Sequence, residues 1–400
     1  MRVRRSQIAW ISLFVVSSLA GVAGVMGWRR YQADPARVFS RAEKAYKAGR
    51  WCQAGAALQR LARLRPPTSF DRFLRAQVAV GLERDEQALA ELAAIPEDHP
   101  LAPLALLRTG QIEVRRGRTR PAEAAFLAAL KLLPNAVQPH KELVYIYNIQ
   151  HRQAELDAQF FDLLEQNEID FQMVLHWTKT RNTNWKPTGD LPALQKFVAA
   201  DPLDRWSRLA LADAYYRLNR LDEAERVLDV LSASDPSARA KRIAIAMDRG
   251  DFAGAESLLA EGDGSTVDLA RLRGQFALKR RDGPAAVQYF RAVLAVDPSD
   301  RVALSGLGTA LRLVGDASAA QPYIEAAGRH DALWRLVARA STSEGERDPK
   351  MPHQLGMACA AAGRDQEARA WLRLAIDRDP LDAEGQRTLF SLEHKGLATD

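Results

Sequence analysis

Side chains able to serve as metal ligands, nucleophiles or general bases occur along the whole chain, but their spacing assembles no reaction. The seven histidines (His99, His140, His151, His176, His330, His353 and His394) include no His-Glu-x-x-His pair, and Cys52 and Cys359 form no Cys-x-x-Cys. A zinc hydrolase or rubredoxin-like centre would therefore lack its ligands. There is no Walker phosphate loop, no Gly-x-Gly-x-x-Gly after a strand pattern and no Gly-x-Ser-x-Gly elbow. Acidic pairs such as Asp222-Glu223 fall at helix turns, where a solvated face explains them better than general acid–base catalysis. The chain is expected to hold no catalytic residue, metal or cofactor, and what remains open to it is binding.

The elements that would position a binding surface are helix pairs. From Asp204 to Pro236 two helical patterns flank a tight turn, with Leu211, Ala212, Tyr215, Ala224, Leu228 and Leu231 at packing positions and Pro236 as the expected stop near Asp235. Two antiparallel helices approach closely only where one side is small, which is the use of Ala212 and Ala224. Pro66, Pro100, Pro134, Pro202 and Pro236 lie on one 34-residue frame. In that frame stand Ala42, Gly49, Ala54 and Leu58, then Ala76, Ala88 and Leu92, then Gly110, Gly117, Ala122 and Phe126, then Leu143, Tyr147 and Phe160. The pattern resembles the tetratricopeptide repeat, of the membrane-anchored bacterial type. The resemblance implies an all-α fold, a right-handed α-solenoid of about ten helix hairpins, because one hairpin cannot bury its apolar face alone.

In chain order, residues 1–7 form a basic tail. Ile8–Trp28 is an uncharged apolar run of membrane-spanning length with Trp10 and Trp28 at its ends, a membrane anchor or a signal peptide. The run continues through Met26, beyond a usual signal core, which favours an uncleaved transmembrane helix. Four repeat units are expected over 35–170 and a degenerate one over 171–204, where Trp177 and Trp185 replace the small-apolar pattern. Further units follow over 205–327, then an irregular helix (Ala332–Ala340) and polar loop within 328–348. Another unit spans 349–382 and a capping helix 383–395.

In the resembled family the first helix of each unit lines a concave groove. That places Lys141, Tyr145, Asn148, Lys179, Asn182, Trp206, Asp213, Tyr216 and Arg217 along the groove, a mixture of aromatic, amide and charged groups that suits an extended peptide. Trp177 and Trp185 either fill the gap left by lost small residues or contact a partner.

The net charge of +6 is carried largely by Arg2, Arg4, Arg5, Arg29 and Arg30, with no acid before Asp34. The remainder is near neutral, which argues against nucleic acid as a partner. The two cysteines, in far-apart units, are expected to be free, packed thiols. The functional expectation is a non-enzymatic, membrane-tethered scaffold that binds a protein or peptide, with no small-molecule substrate. Its N-terminus would be cytoplasmic and its array periplasmic, in envelope assembly or secretion; the alternative is a noncatalytic subunit of an envelope or polysaccharide-processing enzyme.

Overall fold

The computed structural model describes residues 34–180, 189–261 and 266–395. Among these residues all regular structure is helical, in 22 helices, and no strand occurs. The expected anchor at Ile8–Trp28 lies outside the described residues, as do Asn182 and Trp185, and no described helix is long and apolar enough to cross a membrane.

The helices run in pairs. The first are α1 (Pro35–Lys47) with α2 (Trp51–Leu64), α3 (Ser69–Gly81) with α4 (Asp85–Ala93), and α5 (Ala102–Arg115) with α6 (Thr119–Leu132). Next come α7 (Val137–Ile149) with α8 (Gln153–Glu165), α9 (Phe171–Thr180), α10 (Leu191–Ala200), and α11 (Arg205–Arg217) with α12 (Leu221–Leu228). The remainder are α13 (Pro236–Arg249), α14 (Phe252–Ala260), α15 (Val267–Lys279), α16 (Gly283–Val296), α17 (Arg301–Leu313), α18 (Ala317–Ala340), the short α19 (Ser343–Arg347), α20 (Met351–Ala361), α21 (Asp365–Arg378) and α22 (Ala383–Glu393).

The 34-residue frame is visible in the backbone. Left-handed φ angles occur at Gly49 (68°), Glu83 (58°), Gly117 (81°), His151 (55°) and Asn219 (58°), each one frame, or two, beyond the last. These are the hairpin turns, and Glu83 and His151 adopt there a conformation that costs an L-residue roughly 1–2 kcal/mol. The paired helices touch at the small positions: Ala54, Ala88, Ala122, Ala224, Ala255, Ala286, Ala320 and Ala368 are all 0% exposed. At Gly110 the approach is closer still, since an added Cβ would lie 2.3 Å from the Phe126 ring.

Three details depart from the sequence expectations. Helix α12 stops at Leu228, and Pro236 opens the next helix with Asp235 as its N-cap, accepting from the Ser237 and Ala238 amides. Proline fits that first position because the amide hydrogen it lacks would have had no helical partner there. The helix expected at Ala332–Ala340 is the second half of one 24-residue helix, α18, which runs through Gly328, and the polar loop after it contains α19. Cys359 is buried, its thiol pushed up to about 12 by burial, but Cys52 is exposed rather than packed.

The chain divides into two compact units, one of residues up to Arg116 together with Pro121–Ala136, the other of Gly117–Arg120 and everything from Val137. In the first, Val38, Leu58 and Leu74 centre one apolar cluster, and Ala76, Leu92 and Ile112 another. In the second, successive clusters form around Leu211 and Leu228, around Ile243 and Phe276, and around Phe290 and Leu307.

The second unit also packs helix α9 against α21, nearly two hundred residues later. Trp371 Nε1 donates to Thr178 Oγ1 at 2.8 Å, and the Phe171 ring meets Trp371 edge-on at 5.1 Å.

Ala224→Leu is expected to destabilise the second unit by about 1–3 kcal/mol, since the enlarged side chain has no void to enter. Urea unfolding measures it, and an unchanged midpoint would contradict the close-approach role of the alanine.

Candidate functional site

The second unit brings most of the sequence-selected groove residues to one place. Asn148 near the end of α7, Lys179 near the end of α9 and Arg217 at the end of α11 line a cavity of about 110 Å³, with His151, Gln153, Leu156, His176, Thr180 and Asp190. Asn148 and Lys179 lie in the last turns of first helices, three positions apart in the 34-residue frame and hence on one helical face. Arg217 also borders an adjoining cleft of about 300 Å³, lined by His151, Asp213, Tyr216 and Lys241 among others.

Asp213 organises this region. Its carboxylate is 8% exposed and accepts from Lys241 Nζ at 2.6 Å and Arg217 Nε at 2.5 Å, with His151 Nδ1 at 3.2 Å. Burial alone would raise its pKa, but the Lys241, His151 and Arg217 groups hold it well below the ordinary carboxylate range. Tyr216 donates its hydroxyl to Asp248 at 2.6 Å, and burial together with that carboxylate pushes the phenol upward. Burial lowers the Lys179 ammonium, and burial together with Lys179 lowers the His176 imidazole. The cavity thus presents partly desolvated donors beside the Asn148 amide and an apolar wall at Leu156.

Other selected residues fall elsewhere. Tyr145 is 43% exposed and lines neither the cavity nor the cleft; burial, Asp190 and Glu142 raise its hydroxyl. Lys141 lies 4.0 Å from Glu168. Trp206 is held at the start of α11 between the guanidinium groups of Arg152 (5.0 Å) and Arg205 (4.3 Å) and packs on the Leu211 cluster. Trp177 is buried, stacked on Phe160 at 4.8 Å, with its indole nitrogen donating to Asp157 at 2.7 Å, so it fills space.

His151, His176, Asp190, Gln153 and Lys241, none of them among the expected groove residues, also line this region. Two signals could have found the histidines. His176 lies three residues before Lys179, hence on its face of the helix, and His151 holds the turn position of the frame. Among the described residues no group of three His, Cys, Asp or Glu side chains is placed to share a metal ion.

Asp213→Asn is expected to cost roughly 2 kcal/mol at neutral pH, because Lys241 and Arg217 keep their charges and lose their acceptor. A depressed folded-state pKa contributes stability that is present above the unfolded value of 3.8 and lost as pH falls through the folded one. The deficit of the variant, followed by thermal unfolding, should therefore persist down to about pH 4 and close only in stronger acid. A deficit that vanished near pH 6 would show that Asp213 is not the organising charge.

Tetratricopeptide repeat family models match residues 73–137 and residues 191–244. A search of curated proteins found no match. Among solved structures, the chain is similar to a tetratricopeptide repeat protein from Parabacteroides merdae, at 17% identity over 61% of this chain and 98% of that one (TM-score 0.33). It is also similar to the APC/C hetero-tetramer Cut9–Hcn1, at 16% identity over 97% and 90% of the two chains (TM-score 0.37), and to yeast Tom70, at 12% over 91% and 89% (TM-score 0.32). Residues 73–137 and 191–244 thus carry tetratricopeptide repeats, and the helix hairpins, the left-handed turns on a 34-residue spacing between Gly49 and Asn219 and the buried alanines are the local features of that repeat.

Proposed function

We propose that this protein is a non-catalytic scaffold, tethered to a membrane by Ile8–Trp28, whose second unit holds an extended polypeptide along the first helices of its hairpins. The observation that carries the binding part is the convergence of Asn148, Lys179 and Arg217 on one cavity beside the Asp213 cluster. An extended segment exposes amide and carbonyl groups that need partners at every residue, and the cavity and cleft offer the amides of Asn148 and Gln153, the cations Lys179, Arg217, Lys241 and Arg271, carboxylates and apolar steps. The tether is supported by the length of the uncharged run, and it raises the effective concentration of a partner at the same membrane, so modest affinity suffices. An array facing away from the cytoplasm, serving envelope assembly or secretion, is the arrangement that a short N-terminal tail and a long folded region favour, since long regions are exported largely regardless of their charge.

A photo-crosslinking residue at Tyr216, which borders the cleft, tests this in the native cell, with Glu225 on α12 as control. The Tyr216 probe should capture one or a few polypeptides that the Glu225 probe misses, and Lys179→Ala should reduce that capture about tenfold with melting unchanged. Identical captures from both probes would remove the groove as the working surface.

A further inference from the structure

The whole-chain charge hides a strong local excess. Helix α1 carries Arg37, Arg41, Lys44 and Lys47, its turn Arg50, and α2 Arg60 and Arg63, against the single acid Glu43. All seven basic side chains are exposed. With the five arginines before residue 34, and Asp34 counted, this leaves residues 65–400 at a net charge of −4. The leading segment and first hairpin thus hold more net positive charge than the chain as a whole.

The excess lies largely on one face. Arg37, Arg41, Lys44, Arg50 and Arg60 line a single open groove between α1 and α2, floored by Val38, Ala45 and Ala57, and none of its described lining residues is acidic. Asp34 pairs with Arg37 at 3.3 Å and Glu43 with Lys47 at 2.7 Å. Among the described residues no helix precedes α1, and solubility alone asks of an exposed face only mixed charge. A one-sign face fits an extended surface of the opposite sign.

We infer that the α1–α2 hairpin lies on the anionic headgroups of a lipid bilayer. This rests on reading Ile8–Trp28 as the membrane tether. Trp28 and Pro35 are seven residues apart, a reach of at most about 25 Å, so the hairpin cannot stand far from the surface the apolar run enters. Basic side chains next to a membrane segment gain from the negative surface potential within about one Debye length, near 8 Å at physiological ionic strength. The contact would hold the first hairpin against the bilayer while the net-negative remainder of the chain is repelled from it.

The chain carries its own reporter. Cys52 is exposed on α2, one turn before Ala56 and two before Arg60 on the same strip, whereas Cys359 is buried and unreactive. The full-length protein is placed in nanodiscs of phosphatidylcholine alone or with about 30% phosphatidylglycerol, and maleimide–polyethylene glycol labelling of Cys52 is timed. Labelling should be at least about fivefold slower in the anionic discs, with the difference lost in about 0.5 M NaCl and in the Arg41→Glu, Lys44→Glu, Arg60→Glu triple variant. Circular dichroism of that variant confirms its fold. Equal rates in the two discs overturn the proposal, as does equal slowing by added RNA or heparin in neutral discs, which would make the face a general polyanion site. Retention in neutral discs after an alkaline wash tests the tether separately. If the chain is not retained, flotation with anionic but not neutral vesicles still supports the basic face, and flotation with neither overturns it.

Discussion

Two arginines from the last complete hairpin close the ends of helices in the middle of the chain. Arg364 donates to the Thr178 carbonyl at 3.0 Å, in the final turn of α9, while holding Glu367 at 2.6 and 3.0 Å; Arg373 donates to the Leu164 carbonyl at 3.1 Å, at the end of α8. Carbonyls in the last helical turn have no intrahelical partner, and a guanidinium supplies both the missing donor and a charge that complements the helix dipole. Arg364 and Glu367 are both almost fully buried, so this is a paired charge kept dry. Removing one member would leave the other uncompensated, at a cost of about 3–5 kcal/mol.

The candidate site depends on this contact because α9 is its wall. Thr178, Trp177, Val174 and Leu175 turn inward, and Trp371 and Phe171 meet across the closure. Lys179 and His176 are what α9 then presents to the cavity. On the facing helices Asp213 fixes Arg217 and Lys241 by direct pairing, so both sides of the cavity are set by buried charge. A second polar knot, Asp204 with Thr119, Ser207 (2.7 Å) and Gln150 (3.3 Å), fixes the start of α11. Asp204 is fully buried there and also caps α11 through the Trp206 amide. The positions that line the cavity are thus supported by groups distant in sequence.

This explains what could and could not be read from the sequence. The repeat frame was legible because it is local: small residues at Ala88, Ala122 and Ala224 and a turn residue 34 positions apart report a constraint within each hairpin. Asn148, Lys179 and Arg217 could be placed on one side by the same period. Trp177 could not be assigned, since its partners Phe160 and Asp157 sit in the previous hairpin and its helix is backed by one from the far end of the chain. Pro236 was misread because a proline both ends and begins helices, and the Asp235 cap decides between them. The basic hairpin was concealed by counting charge over the whole chain, where the net-negative remainder cancels it.

The C-terminal hairpin holds α9, and through it the cavity wall, in place. Hydrogen–deuterium exchange on the full chain carrying Trp371→Ala tests it directly. The amides of residues 171–180 should lose protection together with those of α20 and α21, while α1 to α4 exchange as before. Unchanged protection of residues 171–180 while α21 opens would contradict it.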